Sequence, residues 1–431
     1  MAGVGIICEY NPFHNGHLRQ LRLARAAAGE EGGVVCLMSG NYVQRGAPAI
    51  FSKGLRAQAA VRCGADLVLE LPITAALSSA EGFAAGGVSI LAALGCDLLC
   101  FGTETADFEA LTRTARANLN PAFDSLVREG MKTGCSYPAA RQRALEALGA
   151  GAGLSAPNDI LAVEYCKALL RQNSPMRPLP ILRTGGYHAR TLEPEAPSAS
   201  ALREAIVSAR GGGKWPAFRG SEFPFTNRTE PCSFADKQCL SQQTTDDAMF
   251  PAWQSAVPSC LRNLYSAAPI HTWSAGERAV LARVRTLPDA AFEALPFGTE
   301  GLWSKLMKNC RRCNGVEEIV AATVSRRYTQ TRIRRMLLCA VLGLTKTDLE
   351  TAAPYVRVLG FNRRGRVLLR EMKRRFCLVN AGQKPENPAY YALESRAADL
   401  YSLFSAEGPR PAGEEDRLRV FYADTGDCGT I

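Results

Sequence analysis

Short apolar runs alternate with stretches of helical spacing between Val4 and Phe101, and this alternation constrains the fold of the 431-residue chain most strongly. Runs at 4–8, 34–38, 66–71 and 96–101 are too short for helices. They are closed by turn residues such as Asn11-Pro12, Pro72 and Gly102, and read as buried strands. Segments 18–28, 55–63 and 80–94 carry apolar residues three and four apart and read as helices. Strand and helix in alternation imply an α/β fold with a parallel sheet covered on both faces. Ligands of such sheets bind beyond the carboxyl ends of the strands, so the loops that follow strands are the places to search for chemistry.

Downstream, residues 107–176 are mostly helical by spacing, and 179–183 reads as a further strand. Gly, Pro, Ser and Gln accumulate over 211–245, as in a linker or long surface loop. From 250 onward the spacing predicts helices, at 275–284, 302–307, 331–344 and 367–378. The expected organisation is a catalytic α/β domain at 1–210, a linker at 211–245 and a mainly helical domain at 246–431. A chain of this length with 47% hydrophobic residues exceeds one ordinary core and is too apolar for disorder. No apolar run reaches the ~18 residues of a spanning helix, which excludes a membrane-embedded chain of that kind. The first residues lack a basic region, and Glu9 falls where a signal peptide stays apolar. Fifteen cysteines, odd in number and irregular in spacing, do not form a disulfide framework, so a reducing cytoplasm is expected. Cys310 and Cys313 form a lone C-x-x-C with no second pair, so no metal site is expected.

Charge is concentrated. Residues 321–376 hold 14 Lys or Arg against 3 Asp or Glu, which covers the whole net charge of +10. A solvated helical face is one reading. The arginine bias favours phosphate contact, and RNA ahead of DNA because no DNA-reading motif is present. Arg326, Arg327, Arg332, Arg334, Arg335, Arg363, Arg364 and Arg366 are the candidate RNA contacts, with Tyr328 and Phe361 available to stack on unpaired bases.

The segment richest in chemistry directly follows the first strand. It reads Ile7, Cys8, Glu9, Tyr10, Asn11, Pro12, Phe13, His14, Asn15, Gly16, His17, Leu18, Arg19, Gln20. Two of only four histidines stand three apart around a glycine, where a helix opens. A helix N-terminus attracts phosphate, glycine permits close approach of backbone, and imidazoles at both ends can donate to phosphate oxygens. His14 and His17 are therefore the first candidate catalytic residues. Ser200 and Arg203 are the second pair, within Pro197-Ser198-Ala199-Ser200-Ala201-Leu202-Arg203. Hydroxyls at a helix start with a following arginine suit β- and γ-phosphates, and taken alone they read equally well as a helix cap.

The two elements, in this order, resemble the signatures of the HIGH-type nucleotidylyltransferase superfamily, whose members attack the α-phosphate of ATP. Further segments are similar to the bacterial tRNA(Met) cytidine acetate ligase family. They are Ser39-Gly40-Asn41-Tyr42-Val43-Gln44-Arg45-Gly46, Ala65-Asp66-Leu67-Val68-Leu69-Glu70-Leu71-Pro72, Phe101-Gly102-Thr103-Glu104, Pro157-Asn158-Asp159-Ile160-Leu161, Gly185-Gly186-Tyr187-His188, Glu300-Gly301-Leu302, Arg327-Tyr328-Thr329 and Val358-Leu359-Gly360-Phe361-Asn362. The resemblance covers most of the chain. It implies a Rossmann-like nucleotidylyltransferase domain that forms acetyl-adenylate from ATP and acetate, with magnesium accompanying the nucleotide. The acetyl group would pass to the wobble cytidine of elongator tRNA(Met), giving N4-acetylcytidine. By the same resemblance the ATP site comprises the segment from Ile7 to Gln20 with Gly102, Asn158 and Arg183. The chain departs from the family pattern at Gly185-Gly186, at Asp159 where Asn is common, and at Ala201 where a hydroxyl is common.

Read by itself, Gly102 is equally a turn glycine and Asn158 a helix cap. Gln44, Arg45 and Lys53 follow the second strand and can face acetate, pyrophosphate or RNA, with a surface position equally open for Lys53. Glu104 is a candidate base toward the cytidine amine. Two other functions fit parts of the pattern: a small-molecule adenylyltransferase, and a non-catalytic RNA-binding protein with a nucleotide pocket.

Overall fold

A computed structural model of the chain describes residues 3–134, 137–150, 156–183, 197–211, 251–325 and 327–424. Most of the expected linker, the match at Gly185-Gly186-Tyr187-His188, and Arg326 lie outside the described residues.

The apolar runs become β1 (Gly3–Cys8), β2 (Gly33–Ser39), β5 (Leu67–Leu71) and β6 (Leu98–Thr103), joined by β7 (Arg177–Leu182). A small antiparallel hairpin of β3 (Tyr42–Val43) and β4 (Ala47–Pro48) follows β2. Side by side the strands run β5-β2-β1-β6-β7, all parallel. Glu70 in β5 apart, the strands are largely apolar because both sheet faces are covered. Val4, Ile6 and Cys8 enter one core beneath α1 (Asn15–Ala28) and α2 (Lys53–Arg62). Ile7 enters the other with Val35 and Leu37, beneath α3 (Ala80–Leu94) and α4 (Pro157–Arg171). The first core is extended by α5 (Ala199–Gly211) and α6 (Ser259–Ala267).

A helical layer follows. It contains α7 (Trp273–Thr286), α8 (Leu302–Arg312), α9 (Val316–Thr323) and α10 (Gln330–Leu342), which bury Val280, Leu306, Ile319 and Leu337 in a core of their own. The described part of 246–431 is mainly helical, as the sequence predicts, and it also carries strands that the helical spacing did not reveal. β8 (Val356–Asn362), β9 (Leu378–Asn380) and β10 (Phe421–Ala423) return to the sheet, with β8 antiparallel to β5 and flanked by β9 and β10. The strand was hidden by Arg357, which breaks the apolar run yet is only 1% exposed. Its Nε lies 2.8 Å from both Glu394 and Glu415, and these carboxylates allow a charge to sit in a buried strand.

After β8 come α11 (Arg363–Met372) and α12 (Pro388–Ser402). Asn362 N–H donates to Asp66 O at 3.0 Å, so α11 starts beside the amino end of β5. Gly365 is required there, because a Cβ would stand 1.8 Å from Asp66 O.

Candidate active site

Six residues, Glu9 to His14, connect β1 to α1 at the carboxyl edge of the sheet. The loop is tightly determined. Tyr10 holds φ +46°, a left-handed conformation that non-glycine residues avoid. Its buried ring and its hydroxyl, 3.3 Å from Cys36 Sγ, keep it there. Asn11 Oδ1 accepts from Ile50 N–H at 2.8 Å, and the Phe13 ring is fully buried.

His14 caps α1. Its Nδ1 accepts from Gly16 N–H at 3.1 Å, while His17 Nδ1 accepts from His14 N–H at 3.3 Å. The two rings stack with centroids 3.7 Å apart. Because each Nδ1 accepts, each neutral ring carries its proton on Nε2 and keeps that N–H as a donor. Burial, reinforced by Arg183 and Arg203, pulls His14 down to about 3. Burial, His14 and Arg183 lower His17 likewise. The pair is therefore uncharged at neutral pH. No acidic residue in the first turn of α1 opposes the positive end of its dipole. Such a mouth can polarise a phosphate through two N–H donors.

Two cations adjoin it. Arg203 on α5 donates through Nη1 to Asn11 O at 2.7 Å and through Nη2 to Ser200 Oγ at 3.1 Å. The two sequence elements, far apart along the chain, thus meet in space. Ser198 Oγ accepts from Ala201 N–H at 3.2 Å, so the helix-cap reading holds for that hydroxyl. Arg183 follows β7, and its N–H donates to Thr103 O at 2.8 Å. Its Nε is buried without a hydrogen-bond partner among the described residues. A Cβ at Gly102 would approach Arg183 Cγ to 3.3 Å, so this glycine gives the arginine room. Burial lowers both guanidinium groups, opposed by Glu104 at Arg183 and by Glu9 at Arg203.

The rest of the expected nucleotide segment is spoken for. Ile7, Cys8, Tyr10, Phe13 and Leu18 turn their side chains into the cores, which leaves only their main chain for a ligand. Asn15 Nδ2 donates to Ser255 O at 3.0 Å, Arg19 Nη1 to Leu182 O at 2.9 Å, and Gln20 Nε2 lies 3.8 Å from Cys100 Sγ. Glu9 Oε1 accepts from Gln44 N–H at 2.7 Å.

Three expectations change. Glu104 is no free base: its carboxylate accepts from the Asn158 side chain, from Asn158 N–H at 3.1 Å and from Asp159 N–H at 3.2 Å. It supplies the cap that Ala156 cannot give α4. Asp159 returns the bond, accepting from Thr103 Oγ1, from Glu104 N–H at 2.8 Å and from Thr105 N–H at 3.1 Å. Lys53 faces neither substrate nor solvent, because its Nζ lies 2.8 Å from Glu70 and 2.7 Å from Glu415 in the interior.

The third change concerns the basic stretch. Tyr328 is buried, with its hydroxyl donating to Glu300 O at 3.1 Å and Arg332 lying 5.2 Å over its ring, so no base can stack there. Arg335 is also buried. It lies 5.2 Å over the Phe297 ring and donates to Gln44 O at 3.2 Å. Burial pushes it down to about 10. Arg332 donates to Phe297 O at 2.6 Å and Arg334 pairs with Glu317 at 2.6 Å. Arg327, Arg363 and Arg366 are exposed and Arg364 is half-buried. The last three begin α11 at the amino edge, about a strand length of roughly 17–20 Å from the histidine pair.

Two residues absent from the sequence reading brace the loop. Tyr265 stacks on Phe51 with centroids 4.6 Å apart and donates to Phe13 O at 3.3 Å. Arg56 is fully buried and donates to Glu9 O. The available signal was an arginine on the small-residue face of a short helix, with no acidic residue in that helix.

A parallel sheet whose first strand opens into a stacked, neutral histidine pair defines a nucleotidyl transferase, and the HIGH Nucleotidyl Transferase family model matches residues 1–416. A protein of Acetivibrio thermocellus named tRNA(Met) cytidine acetate ligase is 34% identical, covering 96% of this chain and 98% of its own. One of the same name from Clostridium perfringens is 32% identical, covering 93% and 95%. The crystal structure of apo Thermotoga maritima TmcAL matches with a TM-score of 0.80 at 26% identity, covering 99% of this chain and 100% of that one. The same protein bound with alpha-thio ATP matches with a TM-score of 0.78. This chain belongs to the tRNA(Met) cytidine acetate ligase family. Among the described residues no helix is long and apolar enough to cross a membrane.

Proposed function

We propose that the protein joins acetate to ATP as acetyl-adenylate and transfers the acetyl group to the wobble cytidine of elongator tRNA(Met), giving N4-acetylcytidine. The observation that carries this reading is the uncharged, stacked His14–His17 pair at the mouth of α1, with Arg183 and Arg203 beside it. The names of the relatives and the nucleotide in the Thermotoga structure support it.

An acetate oxygen attacks the α-phosphorus, the bond from phosphorus to the bridging oxygen breaks, and pyrophosphate leaves with the electron pair. The Nε2–H donors and the end of α1 meet the charge that develops on the α-phosphate, and Arg183 and Arg203 neutralise the triphosphate. Magnesium enters with the nucleotide as part of the substrate. The cytidine N4 lone pair then attacks the acetyl carbon, AMP departs with the electrons of the broken C–O bond, and the amine proton goes to solvent. That amine is a weak nucleophile, so the RNA must be held in register. Arg327, Arg363, Arg364 and Arg366 are the proposed phosphate contacts.

The test combines purified protein, ATP, acetate and an elongator tRNA(Met) transcript, followed by mass spectrometry of the nucleosides. Acetylated cytidine and released pyrophosphate are expected, and both should fall by about two orders of magnitude in His17→Ala. Intact ATP together with bound tRNA would favour a non-catalytic RNA-binding protein. AMP joined to a phosphorylated small molecule, with unmodified tRNA, would favour a plain adenylyltransferase.

A further inference from the structure

Among the described residues two arginines on or beside the sheet are fully buried, and they are solvated in opposite ways. Arg357 has two carboxylate partners. Arg56, with 0% of its surface exposed, has none: among the described residues it forms no ion pair. Its guanidinium instead donates to four main-chain carbonyls. Nε reaches Phe51 O at 2.9 Å, Nη1 reaches Ser39 O at 3.1 Å and also Glu9 O, and Nη2 reaches Gly40 O.

These carbonyls belong to three segments: the loop after β1, the carboxyl end of β2 with the loop beyond it, and the approach to α2. We propose that Arg56 is a positioning residue for adenylation, fixing the start of the 9–14 loop against β2 so that His14 and His17 meet the α-phosphate in one geometry. The planar fork is what the arrangement needs. A lysine at this place keeps the charge but cannot hold the same three segments with one point donor. Burial strips this cation of its hydration, and the four carbonyls together with the more distant Glu9 and Glu70 offset that loss. Arg56 also adds positive potential beneath a site for a triphosphate.

The test rests on the adenylation reading and uses the full-length protein. Arg56→Lys and Arg56→Gln are compared with the unsubstituted protein by thermal melting, by binding of a non-hydrolysable ATP analogue, and by acetate-dependent exchange of pyrophosphate into ATP. For folded Arg56→Lys, kcat of exchange is expected to fall about tenfold or more, with KM for acetate within about twofold, as for a displaced catalytic group. In a His17→Ala background the same substitution should cost less than about threefold, because it acts through the group already removed. Full multiplication of the two losses would overturn the proposal. So would failure of both variants to fold, which would assign Arg56 to folding alone. Should the unsubstituted protein exchange no pyrophosphate with acetate, the functional reading fails and analogue binding decides: weaker binding by Arg56→Lys supports positioning, and unchanged affinity overturns it.

Discussion

A histidine kept neutral by burial donates from the same nitrogen across the pH range in which a free imidazole would become charged. His14 and His17 are in that condition, and the sign of the linkage follows. For a base whose folded pKa is depressed, the stability it contributes is present above the ordinary value of 6.5 and is lost as pH falls toward about 3 for His14. NMR of ring-labelled protein, with signals assigned through His14→Gln and His17→Gln, should show neither ring titrating between about pH 5 and 8. A midpoint near the ordinary value would place the rings in water and remove their neutral-donor role. The pair itself was legible in the sequence, because a spacing of three around Gly16 at a helix start forces both rings toward one end. Which nitrogen stays free was not legible, since it depends on the main-chain N–H groups of Gly16 and His14.

The β3–β4 hairpin is wedged between the 9–14 loop and the helical layer. Glu9 holds the Gln44 N–H, Arg335 holds the Gln44 carbonyl, and Gly46 rests on the backbone of α10. Gly46 adopts φ +76°, and a Cβ there would meet Arg335 N at 2.3 Å. Gly64 adopts φ +107° with open space around it. Gly64→Ala should therefore carry only the conformational cost, about 1 kcal/mol, whereas Gly46→Ala adds a main-chain clash and should cost about 3 kcal/mol or more. Denaturant titration of the two variants checks this, and equal losses would mean that the hairpin yields. Elements of the first hundred residues were readable because periodicity alone specifies a strand covered on both faces. β8 was not, because its burial of Arg357 depends on Glu394 and Glu415, which join it only in the folded chain. The same dependence hid Lys53, whose partners lie on β5 and in the short helix Glu414–Arg417.

Lys53, Glu70, Arg357, Glu394 and Glu415 form one buried ionic cluster that ties α2, β5, β8 and α12 together. Three carboxylates face two cations, and burial, moderated by Lys53, raises Glu70 from 4.5 to about 7. A raised carboxyl pKa favours the folded state while the group is protonated. Its contribution is thus complete below 4.5 and is lost as pH rises through about 7. Melting temperature measured from pH 5 to pH 8 should fall from this source, and Glu70→Gln should flatten the slope. An unchanged slope would assign the proton elsewhere in the cluster. The antiparallel seam between β5 and β8 has a last consequence, for how the protein can be divided. A fragment holding only residues 1–210 would retain the histidine pair yet present β5 as a bare, apolar edge, open to strand addition by other copies. During synthesis the β5 edge therefore stays uncovered until β8 emerges to pair with it.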